Sequence, residues 1–349
     1  MPDGTNATGL TVAITGPTGA LGKSLVRLLE KTTRVGRVIG MARRPFNPSD
    51  LGWIKTEYRQ GDILDAASVS ELVEDADVVV HLAFIIMGAG DEAQRVNIEG
   101  SRNVFEAAID NKVPRLIYTS SVAAYGFHDD NPDVLDESIP PRGTDEHYYS
   151  AQKAAVETML RELEAPSTDV YVFRPCIVAG AEATELIENI PFVQLGEKLP
   201  KPVRSLVRTI PLLRPVIPDP GIPFQLVHVD DVARALRASI FGKGEPGVYN
   251  LAAEGEVTLS DLAHALGWYA MPVPELTVDV TAKIVSRLPL MPARASWINA
   301  LRVPVLMDCT RAREKLGWDP EYDALDTLAD TIAGARQKGL PIGPAPVLD

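Results

Sequence analysis

Short apolar runs and stretches of helical period alternate along the first half of the chain. Leu10–Thr15, Arg37–Met41, Asp77–Ala83, Arg115–Ser120 and Val170–Arg174 are dominated by aliphatic and β-branched residues, the pattern of buried strands. Between the first two, Leu21, Leu25, Leu28 and Leu29 fall on one face of a helix over Ala20–Lys31. Ser68–Glu74, Glu92–Asp110 and Tyr149–Glu164 have the same helical texture. Such alternation predicts an α/β fold, a doubly wound parallel sheet with helices on both faces, running to about Gly180. Past Ala181 the alternation is lost and proline becomes frequent. Strand patterns return at Phe224–Val229 and Gly247–Ala252, with a helix starting at Asp230 or Asp231, either of which would serve as its N-cap. Leu259–Leu266 reads as a further helix.

The chain has 349 residues, 46% of them hydrophobic and 23% charged, enough for one large unit or two packed domains. A net charge of −13 repels phosphate backbones and argues against nucleic acid as a partner. Cys176 and Cys309 sit in no CxxC or Cys/His cluster, so no metal site is expected and two buried thiols are. Met1–Gly9 lacks the basic flank and apolar core of a secretory leader. The longest apolar run, Val78–Gly90, is shorter than the roughly 20 residues of a spanning helix. These features predict a cytoplasmic protein. The apolar, basic stretches Pro202–Val216 and Thr281–Val305 read as lid and core of a substrate region rather than as membrane-contacting surface.

The first strand runs into Thr15-Gly16-Pro17-Thr18-Gly19-Ala20-Leu21-Gly22, which opens the first helix. Glycines at 16, 19 and 22 permit a tight turn and let the backbone approach a pyrophosphate at the helix N-terminus, where free N–H groups favour anions. Strand, glycine turn and helix in that order predict a dinucleotide-binding Rossmann domain over residues 10–180, with returning segments near 224–252. A smaller, discontinuous C-terminal substrate-binding region then comprises 181–223 and 253–340. An NAD site places a carboxylate at the end of the second strand, whereas Met41-Ala42-Arg43-Arg44 offers two guanidinium groups suited to a 2′-phosphate. NADPH is therefore the expected cofactor, with NAD possible. Asp62, after the third strand, either bonds adenine or caps the next turn.

Tyr149 and Lys153 lie four apart on one predicted helix face. A nearby ammonium favours phenolate and should lower the pKa of Tyr149, making it an acid/base. Ser120 and Ser121 end the fifth strand, at the sheet edge where open α/β folds bind ligands.

With these pieces in chain order, the sequence resembles the extended short-chain dehydrogenase/reductase family, the nicotinamide-dependent epimerases, dehydratases and ketoreductases. The matching segments are Thr15–Gly22, Gly61-Asp62, His81-Leu82-Ala83, Asn97 in Asn97-Ile98-Glu99-Gly100, Ser120–Gly126, Tyr149/Lys153, Arg174-Pro175 and His228–Ala233. The resemblance implies that Tyr149 gives or takes the proton, Ser121 polarises the substrate carbonyl with Ser120 in support, Lys153 holds the nicotinamide ribose, and Asn97 organises the relay. It places Ile63, Leu82, Ala83, Arg174 and Pro175 with Asp62 among the cofactor contacts. His81 and His228 are expected to be structural, and Tyr125 to pack near the substrate or fill the core. The family often dimerises through its helices near Glu99–Ala108 and Lys153–Leu163. A homodimer is therefore expected, with Val104, Ala107, Ala108, Ala154, Ala155 and Met159 as small apolar contacts.

Two departures from the family narrow the substrate. Val122-Ala123 stands where sugar-nucleotide dehydratases carry an Asp-Glu pair, and Phe224 where sugar-nucleotide epimerases carry a cation facing the diphosphate. With the apolar, proline-rich Leu186–Pro223 segment, these point to an apolar carbonyl or secondary alcohol and to ketoreductase or alcohol dehydrogenase chemistry. The alternatives are a sugar-nucleotide epimerase that retains its NAD(P), and a non-catalytic NADP(H) sensor, which an intact Ser/Tyr/Lys set disfavours. Arg204, Arg208 and Arg214 read as a basic helix face in preference to a phosphate site.

Overall fold

A computed structural model describes residues 9–86, 90–145, 147–198, 214–273 and 303–343. Arg204, Arg208 and most of Thr281–Val305 lie outside these residues. The N-terminal part comprises β1 (Leu10–Thr15), α1 (Ala20–Glu30), β2 (Val35–Ala42), β3 (Thr56–Gln60), α2 (Ala66–Val73) and β4 (Val78–His81). Then come α3 (Asp91–Arg95), α4 (Ser101–Asp110), β5 (Arg115–Thr119), β6 (Val134–Leu135), α5 (Tyr148–Glu162), β7 (Asp169–Pro175) and β8 (Ile177–Ala179). The remainder holds α6 (Glu185–Glu188), α7 (Pro191–Lys198), β9 (Val216–Asp219), β10 (Leu226–His228), α8 (Val229–Ile240) and β11 (Gly247–Leu251). It ends with α9 (Leu259–Ala265), β12 (Tyr269–Pro272), β13 (Leu306–Met307), α10 (Thr310–Leu316) and α11 (Ala324–Gln337).

Seven of the strands form one parallel sheet in the order β11-β7-β5-β4-β1-β2-β3, the predicted doubly wound Rossmann architecture. The unbroken apolar runs follow from burial on both faces. Val12, Ile14, Val78, Val80, Tyr171 and Phe173 point to one face, where Leu25 and Leu29 of α1 and Leu236 and Ile240 of α8 cover them. Ala13, Val79, Leu116, Tyr118 and Val172 point to the other, against Leu72 of α2, Phe105 of α4 and Val156 of α5. A third core joins Ile187, Val193, Phe224, Leu226, Val257, Leu262, Leu328 and Ile332 from the C-terminal elements.

Phe224, expected to mark the substrate wall, belongs to this third core: it is 7% exposed and its backbone bridges to Val257. An apolar residue at 224 is thus explained by packing. Neither Asp230 nor Asp231 caps α8. His228 does, accepting from Asp230 N–H at 3.2 Å while stacking on Tyr322 and contacting Asp330 at 3.0 Å. Asp231 is buried instead, accepting from the Glu321 and Tyr322 N–H groups and pairing with Arg234. Tyr125 is fully buried, its hydroxyl within hydrogen-bond distance of the Asp136 carbonyl and Asn250 Oδ1. Among the expected dimer contacts, Val104, Ala108, Ala154 and Met159 are buried in this chain's own core, Ala107 is half-buried and Ala155 is exposed. Both cysteines are buried and unbridged. No helix among the described residues is long and apolar enough to cross a membrane.

Candidate active site

Strand order reverses direction at β1 and β4, so a crevice opens at their carboxyl ends. Thr15, last of β1, and His81, last of β4, close its floor: Thr15 Oγ1 lies 2.8 Å from His81 Nδ1 and accepts from the N–H groups of Leu82 and Ala83 at 3.3 Å. The other His81 nitrogen meets Ser101 Oγ at 2.9 Å. Burial, followed by the charge of Lys153, pushes the imidazole down to about 3, so it is neutral and structural at pH 7.

The glycine turn wraps over this floor. Gly16 adopts φ +75°, and a side chain there would lie 3.0 Å from the Ala83 nitrogen. A side chain on Gly22 would meet the Gly16 carbonyl at 2.3 Å, so the turn and the first helical turn touch through bare backbone. Thr18 and Gly19 are exposed, and Ala20 and Leu21 are half-buried. Gly19 is the N-cap of α1 with no side-chain cap, and no acid sits in the first turn. An uncapped helix start, fronted by glycines that allow close approach, fits a dinucleotide pyrophosphate. The Gly16 N–H donates to the Met41 carbonyl at 3.2 Å, which brings the end of β2 beside the turn, followed by exposed Arg43 and Arg44. Asp62 accepts from the Leu64 N–H at 3.0 Å, taking up the turn-capping role. Ile63 is buried with its side chain packed against the space above Gly100, and its carbonyl accepts from Asn103 Nδ2 at 2.9 Å.

Across the crevice, Ser121 caps a 3₁₀ turn over Val122–Tyr125, and Ser150 Oγ donates to the Ala123 carbonyl at 2.6 Å, fixing the start of α5 against that turn. Tyr149 is thereby set beside Ser121, whose hydroxyl favours the phenolate. Burial pushes the Tyr149 phenol up to about 12, more than Ser121 holds it down. This reverses the expectation that Lys153 lowers it. The Lys153 ammonium donates to the Thr119 carbonyl at 2.9 Å and lies 5.8 Å from the Tyr149 ring centroid. Burial moves Lys153 itself down to about 7, against the opposing pull of Glu157.

Asn97 ties the crevice together. Its side chain accepts from the Ile85 N–H at 2.8 Å and donates to the Ile85 carbonyl at 3.0 Å and to Gln152 Oε1 at 2.8 Å, linking the segment after β4 to α5. Asn97 sits in a π-helical turn, Val96–Gly100, inserted into what the sequence pattern reads as one helix.

Two expected roles change. Arg174 does not reach the cofactor crevice as a donor: it is fully buried, with Nε and Nη2 on the Glu157 carboxylate at 3.0 and 2.6 Å and Nη1 on the Ile139 carbonyl at 3.1 Å. Its guanidinium stacks over Tyr125 at 4.3 Å. Ser120 turns the same way, donating to Glu157 Oε1 at 2.5 Å, so it supports the site from behind. Pro175, at the end of β7, is buried. Glu157 escaped the sequence reading, although its place four residues after Lys153 on the inner face of α5 was a usable signal. Phe84 escaped it too. Its ring lies 3.7 Å from Lys153 Nζ and edge-on to Tyr149 at 5.7 Å between centroids.

Comparisons with known proteins agree with this fold. Vestitone reductase of Medicago sativa is 25% identical over 353 residues, spanning 94% of this chain and 97% of its own. The uncharacterized protein Rv2047c of Mycobacterium tuberculosis is 27% identical over 94% of this chain, and the chain spans 30% of that protein's length. Among solved structures, the UDP-glucuronic acid 4-epimerase of Bacillus cereus in complex with NAD matches with a TM-score of 0.68 at 19% identity, over 94% of this chain and 99% of that one. The sequence profile of the NAD dependent epimerase/dehydratase family matches residues 12–252. That span takes in the glycine turn, the serine segment and the Tyr149/Lys153 helix, and the protein belongs to the NAD-dependent epimerase/dehydratase family, within the extended short-chain dehydrogenases/reductases.

Proposed function

We propose that this enzyme is an NADP(H)-dependent ketoreductase or alcohol dehydrogenase acting on an apolar carbonyl compound or secondary alcohol. The observation that supports it most is the wall around the reacting phenol. Tyr149 meets the Ser121 hydroxyl on one side and the Phe84 ring on another, and the residues after Ser121 are Val122 and Ala123, with no carboxylate to drive elimination. The resemblance to a plant reductase over 94% of the chain points the same way.

The nicotinamide, when bound, exchanges a hydride with the substrate carbon. The chain does the rest. The uncapped start of α1 would hold the pyrophosphate, and Arg43 and Arg44 the 2′-phosphate. Lys153 would hold the ribose. Tyr149 donates its proton to the carbonyl oxygen in reduction and takes it back in oxidation, and Ser121 fixes that oxygen. Segments 181–223 and 253–340 would supply the substrate-binding region.

Arg43→Ala tests the cofactor assignment. Charge-assisted hydrogen bonds contribute about 1.5–3 kcal/mol, so NADPH affinity should fall tenfold or more while NADH affinity stays nearly unchanged. Equal affinity of the parent for both cofactors would refute the preference.

The family and the NAD-bound epimerase structure support a second reading, a sugar-nucleotide epimerase that keeps its cofactor. Thermal-shift and turnover screens of hydrophobic ketones and secondary alcohols against UDP- and GDP-sugars, with NADP(H) present, separate the two. Turnover confined to the apolar set is expected. Stabilisation by a nucleotide-sugar alone would install the epimerase in its place.

A further inference from the structure

We propose that Phe84 is a positioning residue of the active site, an aromatic platform that sets Lys153 and Tyr149 in register. The inference rests on the reading of those two residues as the reacting pair. Three observations carry it.

First, the ring is placed against both partners at once, 3.7 Å from the ammonium nitrogen and in an edge-to-face pair with Tyr149. Second, the ammonium has three N–H donors and two oxygen partners, the Thr119 carbonyl at 2.9 Å and the Tyr118 hydroxyl at 3.4 Å. The Phe84 face covers the charge on a side where no oxygen among the described residues does. Third, the backbone around Phe84 is held from both sides. Ala83 N–H donates to Thr15, Ile85 makes a reciprocal pair with Asn97, and the Ile86 carbonyl accepts from Tyr148 at 2.8 Å. A residue that merely filled space would not need its neighbours tied to β1, to the π turn and to α5.

The groups facing Lys153 are few. His81 lies on β4, Tyr118 on β5, and Tyr149 and Glu157 on α5. Phe84 acts on the lysine in two opposed ways: its bulk excludes water, which disfavours the ammonium, and its π face attracts the ammonium. The two separate by substitution. Phe84→Leu keeps the bulk and removes the π face, so the Lys153 titration midpoint should fall by about one pH unit. Phe84→Ala admits water, so the midpoint should rise toward the ordinary lysine range. Phe84→Tyr should restore the parent value.

The measurement is NMR titration of protein carrying isotope-labelled lysine, with Lys153→Arg assigning the signal. It is made on the full chain without added cofactor and repeated with NADPH. In parallel, NADPH affinity is read by fluorescence and ketone turnover by absorbance. Phe84→Leu should lower kcat several-fold more than it changes KM, with the shifted midpoint carried into the pH profile. If the midpoint is the same in the parent, the Leu variant and the Ala variant, Phe84 is packing and the proposal falls. If the midpoints shift but the parent reduces no carbonyl compound, Phe84 positions Lys153 as described and it is the ketoreductase reading that fails. Should the Ala variant not fold, a lowered midpoint in the Leu variant beside a parental one in the Tyr variant still decides the matter.

Discussion

Tyr149→Phe is expected to lower turnover by about 10²–10⁴-fold, the usual contribution of a positioned proton-transfer group, and to leave cofactor affinity near the parent value. The substitution removes one oxygen. The ring keeps its edge contact with Phe84, and α5 keeps its anchor through Ser150 and Ala123, so the fold should survive. What is lost is the proton at the carbonyl oxygen and the partner of Ser121. The pH dependence follows from the two shifts. A phenol pushed up to about 12 stays protonated through neutrality, so the donor form for reduction is present across the usual range and is lost only in strong alkali. Lys153, pushed down to about 7, carries its charge below that value and loses it above, so the reduction rate should inflect near neutrality through the lysine. Steady-state kinetics on a ketone identified by the screen, with NADPH binding measured separately, checks both. Near-parental turnover in the Phe variant would remove Tyr149 from the chemistry.

Glu157→Leu should destabilise the fold by about 3–5 kcal/mol, the cost of leaving a buried charge without its partner. Arg174 and Glu157 have side chains 0% and 1% exposed, and the carboxylate also accepts from Ser120. Removing it strands a guanidinium and a serine hydroxyl together. Adding Arg174→Met should recover a substantial part of the loss, because a buried pair replaced by apolar groups of similar size is often neutral. Denaturant unfolding of parent, single and double variants measures this. A single variant as stable as the parent would mean that the pair contributes little. Because Ser120 and Lys153 flank Glu157, activity in the double variant should remain below the parent even where stability returns.

Much of this was legible in the amino-acid order. Strands buried on both faces produce uninterrupted apolar runs, so β1, β4, β5 and β7 stand out, and the glycine turn and the Tyr149/Lys153 spacing locate the crevice. Tertiary contacts hid the rest. The π turn at Val96–Gly100 depends on Asn97 reaching Ile85 and Gln152, which helical periodicity does not register. Arg174 beside Pro175 looked like a ligand-facing pair, and only the fold shows a carboxylate waiting for it on another helix. Phe224 was expected to bear on the substrate, but a hydrophobic core claims it. Lys153 was expected to act on Tyr149 as a nearby charge. Desolvation, which local sequence does not report, sets the direction instead and moves both groups toward neutrality.

The outermost strand of the sheet, β11, pairs along β7, although 71 residues separate Pro175 from Gly247. The third core is therefore split by the last sheet strand: Ile187, Val193, Phe224 and Leu226 are threaded between the sixth and seventh sheet strands, and Val257, Leu262, Leu328 and Ile332 follow the finished sheet. A ribosome making this chain from its N-terminus releases β7 with one edge unsatisfied, and that edge stays open until the later segment arrives. Pairing across so wide a loop is slow relative to the local helices that precede it. The half that carries the glycine turn and Tyr149 thus has no autonomous end point at Gly180. Shortened chains ending before Leu251 would present an open, apolar sheet margin to one another.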